Sequence, residues 1–268
     1  MKNILLLVHD DEGQEARLQA ALDLTRAVDG HLACLDIAAI PAIVGDPYMA
    51  DASAILLQDE RAREDDHSAN IEARLRHEDV SWDLCAATGD FAPAVEEASD
   101  LADVIVVNCA LPNSARRDLR ELAAELIMRS GKPILAVPEE CRSLKVTGKA
   151  VVAWNGSAAS TAALQAAIPL LQRAECVILI EIEDGHAEIS ARDAAAYLSR
   201  HDIHPLIRFE RPRGRSVADI LLAEVRERRS DYLVMGGYGR SRLAEALFGG
   251  TTRALLKESP VPLFLAHG

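Results

Sequence analysis

The chain has 268 residues, enough for one large or two ordinary domains. Of these, 49% are apolar but only 4% aromatic, so the core is built from Ala, Leu, Val and Ile. A formal net charge of −13 excludes nucleic acid and anionic membrane surfaces as main partners, because both require a basic face. It leaves room for a local anion site.

Taken in order, the chain alternates short apolar runs with amphipathic stretches. Asn3 to Val8 reads as a buried strand, Ala16 to Ala27 as a helix ended by Asp29-Gly30, and His31 to Ile40 as a second strand. Pro41 to Tyr48 is a loop, and Ala50 to His77 a long charged helical stretch. Val80 to Ala87 is a third strand with a turn at Gly89-Asp90, followed by a helix over Pro93 to Leu101 and a fourth strand over Asp103 to Asn108. Asp118 to Arg129 is a helix and Lys132 to Val137 a fifth strand. The pattern then restarts. Strands are expected at Lys149–Trp154, Cys176–Ile182, His204–Arg211, Tyr232–Met235 and Pro262–Ala266. Helices are expected at Ser160–Leu171, Ser190–Arg200 and Val217–Arg229, with a last one containing Leu255–Glu258. Such alternation implies parallel sheets covered by helices on both faces.

The cysteines Cys34, Cys85, Cys109, Cys141 and Cys176 are odd in number, scattered and without a C-x-x-C pair, so neither a disulfide framework nor a structural zinc site is expected. Most fall in apolar runs and read as small core residues. The opening MKNILLLVHDD turns acidic after about six apolar residues, too few for a signal peptide. No apolar run reaches bilayer length, so the expectation is a cytoplasmic protein with no membrane partner.

The most informative stretch is Asp231 to Thr252, DYLVMGGYGRSRLAEALFGGTT. An apolar strand runs into Gly236, Gly237 and Gly239. Gly249 and Gly250 then lead into a helix. Backbone N–H groups without a Cβ in the way can cradle a phosphate or ribose, and a helix N-terminus favours an anion. On spacing alone, tight turns that hold no ligand serve equally well. The spacing Gly236, two residues, Gly239, nine residues, Gly249 resembles the nucleotide-binding signature of the universal stress protein family, G-x2-G-x9-G followed by Ser or Thr. Gly250 stands where that Ser or Thr belongs, and Thr251 follows one residue late.

An internal repeat extends the resemblance to the whole chain. LQAA recurs at Leu18–Ala21 and Leu164–Ala167, Gly89 corresponds to Gly214, ADVIVVN at Ala102–Asn108 to SDYLVMG at Ser230–Gly236, and SGKPILAVP at Ser130–Pro138 to ESPVPLFLA at Glu258–Ala266. The chain is therefore similar to two universal stress protein domains in tandem, expected at 1–140 and 148–268. The fold class this implies is α/β: two doubly wound five-stranded parallel sheets, adenine nucleotide alpha hydrolase-like, packed as a pseudo-dimer through their last strands.

The resemblance implies a site in the second half for ATP or a related adenine nucleotide, with Mg²⁺ accompanying it. Asn155 stands where the family commonly has an Asp that contacts the adenosine part. It can accept and donate hydrogen bonds but supplies no charge. Equally, Asn155 serves as a turn residue before Gly156, with Ser157 capping the next helix. Backbone near Ile180 would flank the base. Gly236, Gly239, Gly249, Gly250 and Thr251 would line ribose and phosphates, and Arg240 would approach the phosphates. Arg240 reads as readily as a solvated arginine, and Thr251 or Thr252 as a helix cap.

The equivalent first-half stretch has no glycine between Val104 and Arg129, the side chains of Cys109 and Leu111 fill the space, and Pro112 removes a backbone donor and fixes φ, so no nucleotide is expected there. His9, Asp10, Asp11 and Glu12 offer metal ligands but read more simply as a solvated loop. His201-x-x-His204 and Asp184-Gly185-His186 lack a third ligand at a telling spacing. Arg208, Arg211, Arg213 and Arg215 form a basic cluster suited to an anion or acidic partner, or to keeping an edge strand soluble. No assembled nucleophile, base and oxyanion set is present, so no catalytic or metal-binding residue is assigned, and weak ATP hydrolysis is the most that is expected. The leading expectation is a stress-response protein that binds a nucleotide without fast chemistry. An interaction module with a relic glycine loop and a sensor of another small ligand stand beside it. A homodimer and a further protein partner both remain open.

Overall fold

The computed structural model describes residues 1–39, 62, 66–111, 119, 121–182, 189–238 and 250–268. The first half supplies strands β1 (Asn3–Val8), β2 (His31–Ala39), β3 (Ser81–Gly89), β4 (Val104–Asn108) and β5 (Ile134–Val137). The second supplies β6 (Lys149–Trp154), β7 (Cys176–Ile182), β8 (Leu206–Glu210), β9 (Tyr232–Gly236) and β10 (Leu263–Ala266). Around them lie α1 (Gln14–Val28), α2 (66–75), α3 (Phe91–Ala98), α4 (Leu122–Arg129), α5 (Ala158–Ala166), α6 (Ile168–Leu171), α7 (Ala191–Ser199), α8 (Val217–Arg228) and α9 (Thr251–Glu258). The expected loop at Pro41–Tyr48 and most of the helical stretch at Ala50–His77 lie outside the described residues.

All ten strands form one sheet in the order β3-β2-β1-β4-β5-β10-β9-β6-β7-β8. Within each half every neighbouring pair is parallel. The halves join where β5 and β10 run antiparallel, Leu263 opposite Ala136 and Leu265 opposite Ile134. The two last strands are short and wholly buried. Each would otherwise leave an apolar sheet edge open, and pairing them closes both edges at once. The expected pseudo-dimer is thus a continuous ten-stranded sheet. Apolar side chains from alternate strand positions form two cores, one on each face, and both run across the junction.

Local signals set the elements. Ser216 and Asp219 form a capping box at the start of α8, and Ser190 caps α7. Asp29 and Arg229 end α1 and α8 in the left-handed conformation, φ 49° and 52°. The helix expected over Ser160–Leu171 is two helices. Pro169 has no N–H to offer the ladder, and the chain breaks at Ala167 into α5 and the short α6.

A repeated lock fixes the strand starts. Asp103 Oδ2 accepts from the Asn3 backbone N–H at 3.0 Å, and Asp231 Oδ2 from that of Lys149 at 2.8 Å. Of the cysteines, only Cys34 and Cys109 are buried. Cys85 on the edge strand β3 is exposed, and Cys141 and Cys176 are intermediate. The core role expected of most of them therefore holds for two.

Candidate nucleotide site at the carboxyl ends of β6 and β9

In a doubly wound sheet the strand order reverses at one point, leaving a crevice beyond the carboxyl ends. In the second half that point lies between β6, which continues to β7 and β8, and β9, which continues to β10. Asn155 and Gly236 are therefore neighbours at the crevice mouth. Asn155 is exposed, and its Oδ1 accepts from the backbone N–H and the hydroxyl of Ser157 at 3.2 and 2.7 Å. Ser157 in turn caps α5 by accepting from the Ser160 N–H at 3.2 Å. Gly156 sits between them at φ 70°, a conformation that favours glycine. Asn155 thus holds the strand-to-helix turn, with its amide group the part left facing outward chemistry.

Packing explains two of the glycines. A Cβ on Gly236 would lie 2.6 Å from the Ser160 backbone nitrogen and 2.7 Å from the Ala159 carbonyl carbon, so α5 starts against bare backbone. A Cβ on Gly237 would lie 2.7 Å from Cγ2 of Ile127, on α4 of the first half. The openness expected of Gly236 for a ligand is taken up, on its Cα side, by a helix. The distal wall of the crevice is the start of α9. Gly250 occupies its N-cap position, where no side chain can cap, and Thr251 opens its first turn half-buried. The buried Thr252 accepts the Tyr238 backbone N–H on its hydroxyl at 3.3 Å, bringing the N-terminus of α9 beside the end of β9. Tyr238 has φ 48°, which continues the sharp departure of the chain from the strand.

Ile180 is fully buried, and its backbone sits in the ladder beside Ala153 and Arg208, two residues short of the end of β7. Gly239, Arg240 and Gly249 lie outside the described residues, as does Asp184-Gly185-His186. Among the described residues no group of three or more His, Cys, Asp or Glu could hold a metal ion. No helix among them is long and apolar enough to cross a membrane.

The first half fills the equivalent crevice with its own side chains. Arg17, fully buried on α1, donates to the Leu7 and His9 carbonyls at 2.7 and 2.8 Å, to Asp11 Oδ1 at 2.7 Å, to Asn108 Oδ1 at 2.6 Å and to Gln14 Oε1 at 2.6 Å. His9 and the Asp11 side chain are buried, so the reading of this segment as a solvated loop holds only for the exposed Asp10 and Glu12. A charge buried so deeply persists only when paired and hydrogen-bonded all round, as here. Cys109 and Leu111 are buried as expected, and Pro112 lies outside the described residues.

Residues 147–267 match the model of the universal stress protein family. The second half of the chain belongs to the universal stress protein family. A universal stress protein from Archaeoglobus fulgidus DSM 4304 has a similar structure end to end, covering 99% of this chain and 96% of its own at 16% identity and a TM-score of 0.78. A functionally unknown protein from Pseudomonas aeruginosa PAO1 covers all of this chain and 92% of its own, at 16% identity and a TM-score of 0.61. These full-length matches carry the same fold into the first half, consistent with universal stress protein domains in tandem. No curated protein matches the chain.

Proposed function

We propose that the second half of this universal stress protein binds ATP or a related adenine nucleotide, and that the protein acts in a stress response by binding, without fast chemistry. The observation that carries the reading is the uncapped N-terminus of α9 held beside the end of β9, at the point where the sheet reverses and the G-x2-G-x9-G spacing begins. Backbone N–H groups at such an end suit phosphate, and the positive end of the helix dipole favours it further. In this reading Gly250 and Thr251 meet the phosphates with their N–H groups and the threonine hydroxyl. Gly239, Arg240 and Gly249 complete the phosphate side. Asn155 addresses the adenosine part through its amide N–H₂, because its oxygen is engaged by Ser157. Backbone at the end of β7, beyond Ile180, flanks the base. Mg²⁺ travels with the phosphates and is held by them.

Mass spectrometry of small molecules released from protein purified without added ligand tests the reading. An adenine nucleotide, at no more than one per chain, supports it. A different small molecule at that stoichiometry, or failure of ATP, AMP and cAMP to bind at millimolar concentration, overturns it. One observation favours a second reading, an interaction module with a relic glycine loop: α5 occupies the space beside Gly236, which accounts for that glycine without a ligand.

A further inference from the structure

The second half carries a feature that the nucleotide reading does not use. β8 ends the ten-stranded sheet, and among the described residues its only strand neighbour is β7. Its outer edge therefore presents N–H and C=O groups to which another strand can add. Leu206 and Phe209 on this five-residue strand are 55% and 45% exposed. They project to opposite faces, so both faces of the edge offer an apolar contact.

The charge on this edge runs against that of the chain. In a protein of net charge −13, Arg208, Arg211, Arg213 and Arg215 are all exposed within eight residues, with Glu210 the only carboxylate among them. Arg208, Arg213 and Arg215 make no ion pair among the described residues, so their charge is available to a partner. The strand leads into a tight turn closed by Arg215 N–H to the Pro212 carbonyl at 2.8 Å, with Arg213 at φ 43° and Gly214 at φ 82°. An open cleft of about 460 Å³ lies here, lined by Phe209, Glu210, Arg211, Arg213 and Arg215.

The internal repeat supplies a control. Aligning Gly89 with Gly214 sets Asp83, Ala86, Thr88 and Asp90 at the places of the four arginines, and none is basic. The fold therefore does not require the cluster. Nor does it suit edge-to-edge pairing of β8 with its own copy, because like charges would be brought together.

We propose that the β8 edge docks an extended acidic segment of another protein, which adds as a strand beside Leu206–Glu210. Its backbone pairs with the open edge, apolar side chains on one face meet Phe209, carboxylates on the other face meet Arg208 beside Leu206, and a carboxylate past the strand end meets Arg213 and Arg215. This inference does not rest on the nucleotide reading.

Fluorescence anisotropy on the full chain tests it, using a labelled peptide of about eight residues that alternates valine and glutamate, long enough to span the strand. Three controls accompany it: the same peptide with lysine for glutamate, the acidic peptide N-methylated at alternate amides, and an Arg208→Glu/Arg213→Glu/Arg215→Glu variant, whose exposed positions leave the core untouched. The acidic peptide is expected to bind, more weakly as salt rises, with affinity falling at least about tenfold in the triple variant and on N-methylation, and the lysine peptide is not expected to bind. No binding of the acidic peptide, or equal binding to the triple variant, overturns the proposal. Undiminished binding of the N-methylated peptide reduces the site to simple anion attraction and overturns strand addition. Concentration-dependent self-association that the triple variant abolishes assigns the edge to a second copy of this chain and overturns it as well.

Discussion

Asn108 and Gly13 occupy one space: a Cβ on Gly13 would lie 2.4 Å from the Asn108 side chain, whose amide donates to the Gly13 carbonyl at 3.0 Å. The second half makes the reverse choice at the matching places. Gly236 stands for Asn108, and Ala159 stands for Gly13, with the small residue now on the strand and the Cβ on the helix. The first half uses the room to seat an amide that receives the Arg17 guanidinium, and the second keeps the crevice free of it. One duplicated fold thus makes opposite choices at a single contact.

This contact predicts non-additive stability. Gly13→Ala alone should cost about 1–3 kcal/mol by overpacking, and Asn108→Gly alone a similar amount by leaving Arg17 short of an acceptor. The double variant recreates the Ala159–Gly236 pair and should recover at least about 1 kcal/mol relative to the sum of the two, read from denaturant melts. Strict additivity would contradict the shared-space account.

Arg17→Met should destabilise the chain by about 3–5 kcal/mol, because it strands the Asp11 carboxylate in a buried site. Adding Asp11→Asn should relieve part of that loss. Thermal melts that move by less than a degree for Arg17→Met would show that the guanidinium is not the keystone of the first crevice.

Acid sensitivity follows from Asp103. Burial alone would raise its pKa, but the backbone N–H groups of Asn3 and Lys2, with the nearby N-terminus and Lys132, hold it below the ordinary carboxylate value. A carboxyl depressed in the folded state adds stability that is present above its unfolded pKa, about 3.9, and that is lost as pH falls through the folded value. Asp103→Asn should therefore lower stability at pH 7 and flatten the acid limb of the unfolding curve below about pH 4. An unchanged acid limb would contradict the lock at the start of β1.

Thiol chemistry should separate the cysteines. Burial, with Asp83 and Cys85 nearby, pushes the Cys34 thiol up to about 12, and burial pushes the Cys109 thiol up as well. Both stay protonated at pH 8, and the thiolate is the reactive form. Iodoacetamide on the native protein should label the exposed Cys85 while Cys34 and Cys109 stay protected until unfolding. Early labelling of Cys34 would place β2 nearer solvent than the fold has it.

Much of the architecture was legible in the letters. Unbroken apolar runs mark buried parallel strands, so β1, β6 and β7 match their sequence bounds residue for residue. The repeated letters foretold the duplication, and the short apolar last strands foretold the β5–β10 junction. What the sequence hid were individual side-chain contacts between residues distant along the chain. Arg17 looks like any helical arginine until Asn108, 91 residues on, arrives beside it. Gly236 reads as backbone bared for a ligand, yet the start of α5 fills that side. Asn155 admitted two readings from sequence, and its bonds to Ser157 realise the turn.

Calorimetric titration of ATP into the full chain tests the central claim, that a nucleotide binds in the second half alone. The account predicts one site per chain, lost in Gly239→Val, whose side chain would enter ligand space, and retained in Ala110→Val, one residue from the corresponding place in the first half, with circular dichroism melts showing both variants folded. Two sites per chain, or undiminished binding in folded Gly239→Val, would contradict it.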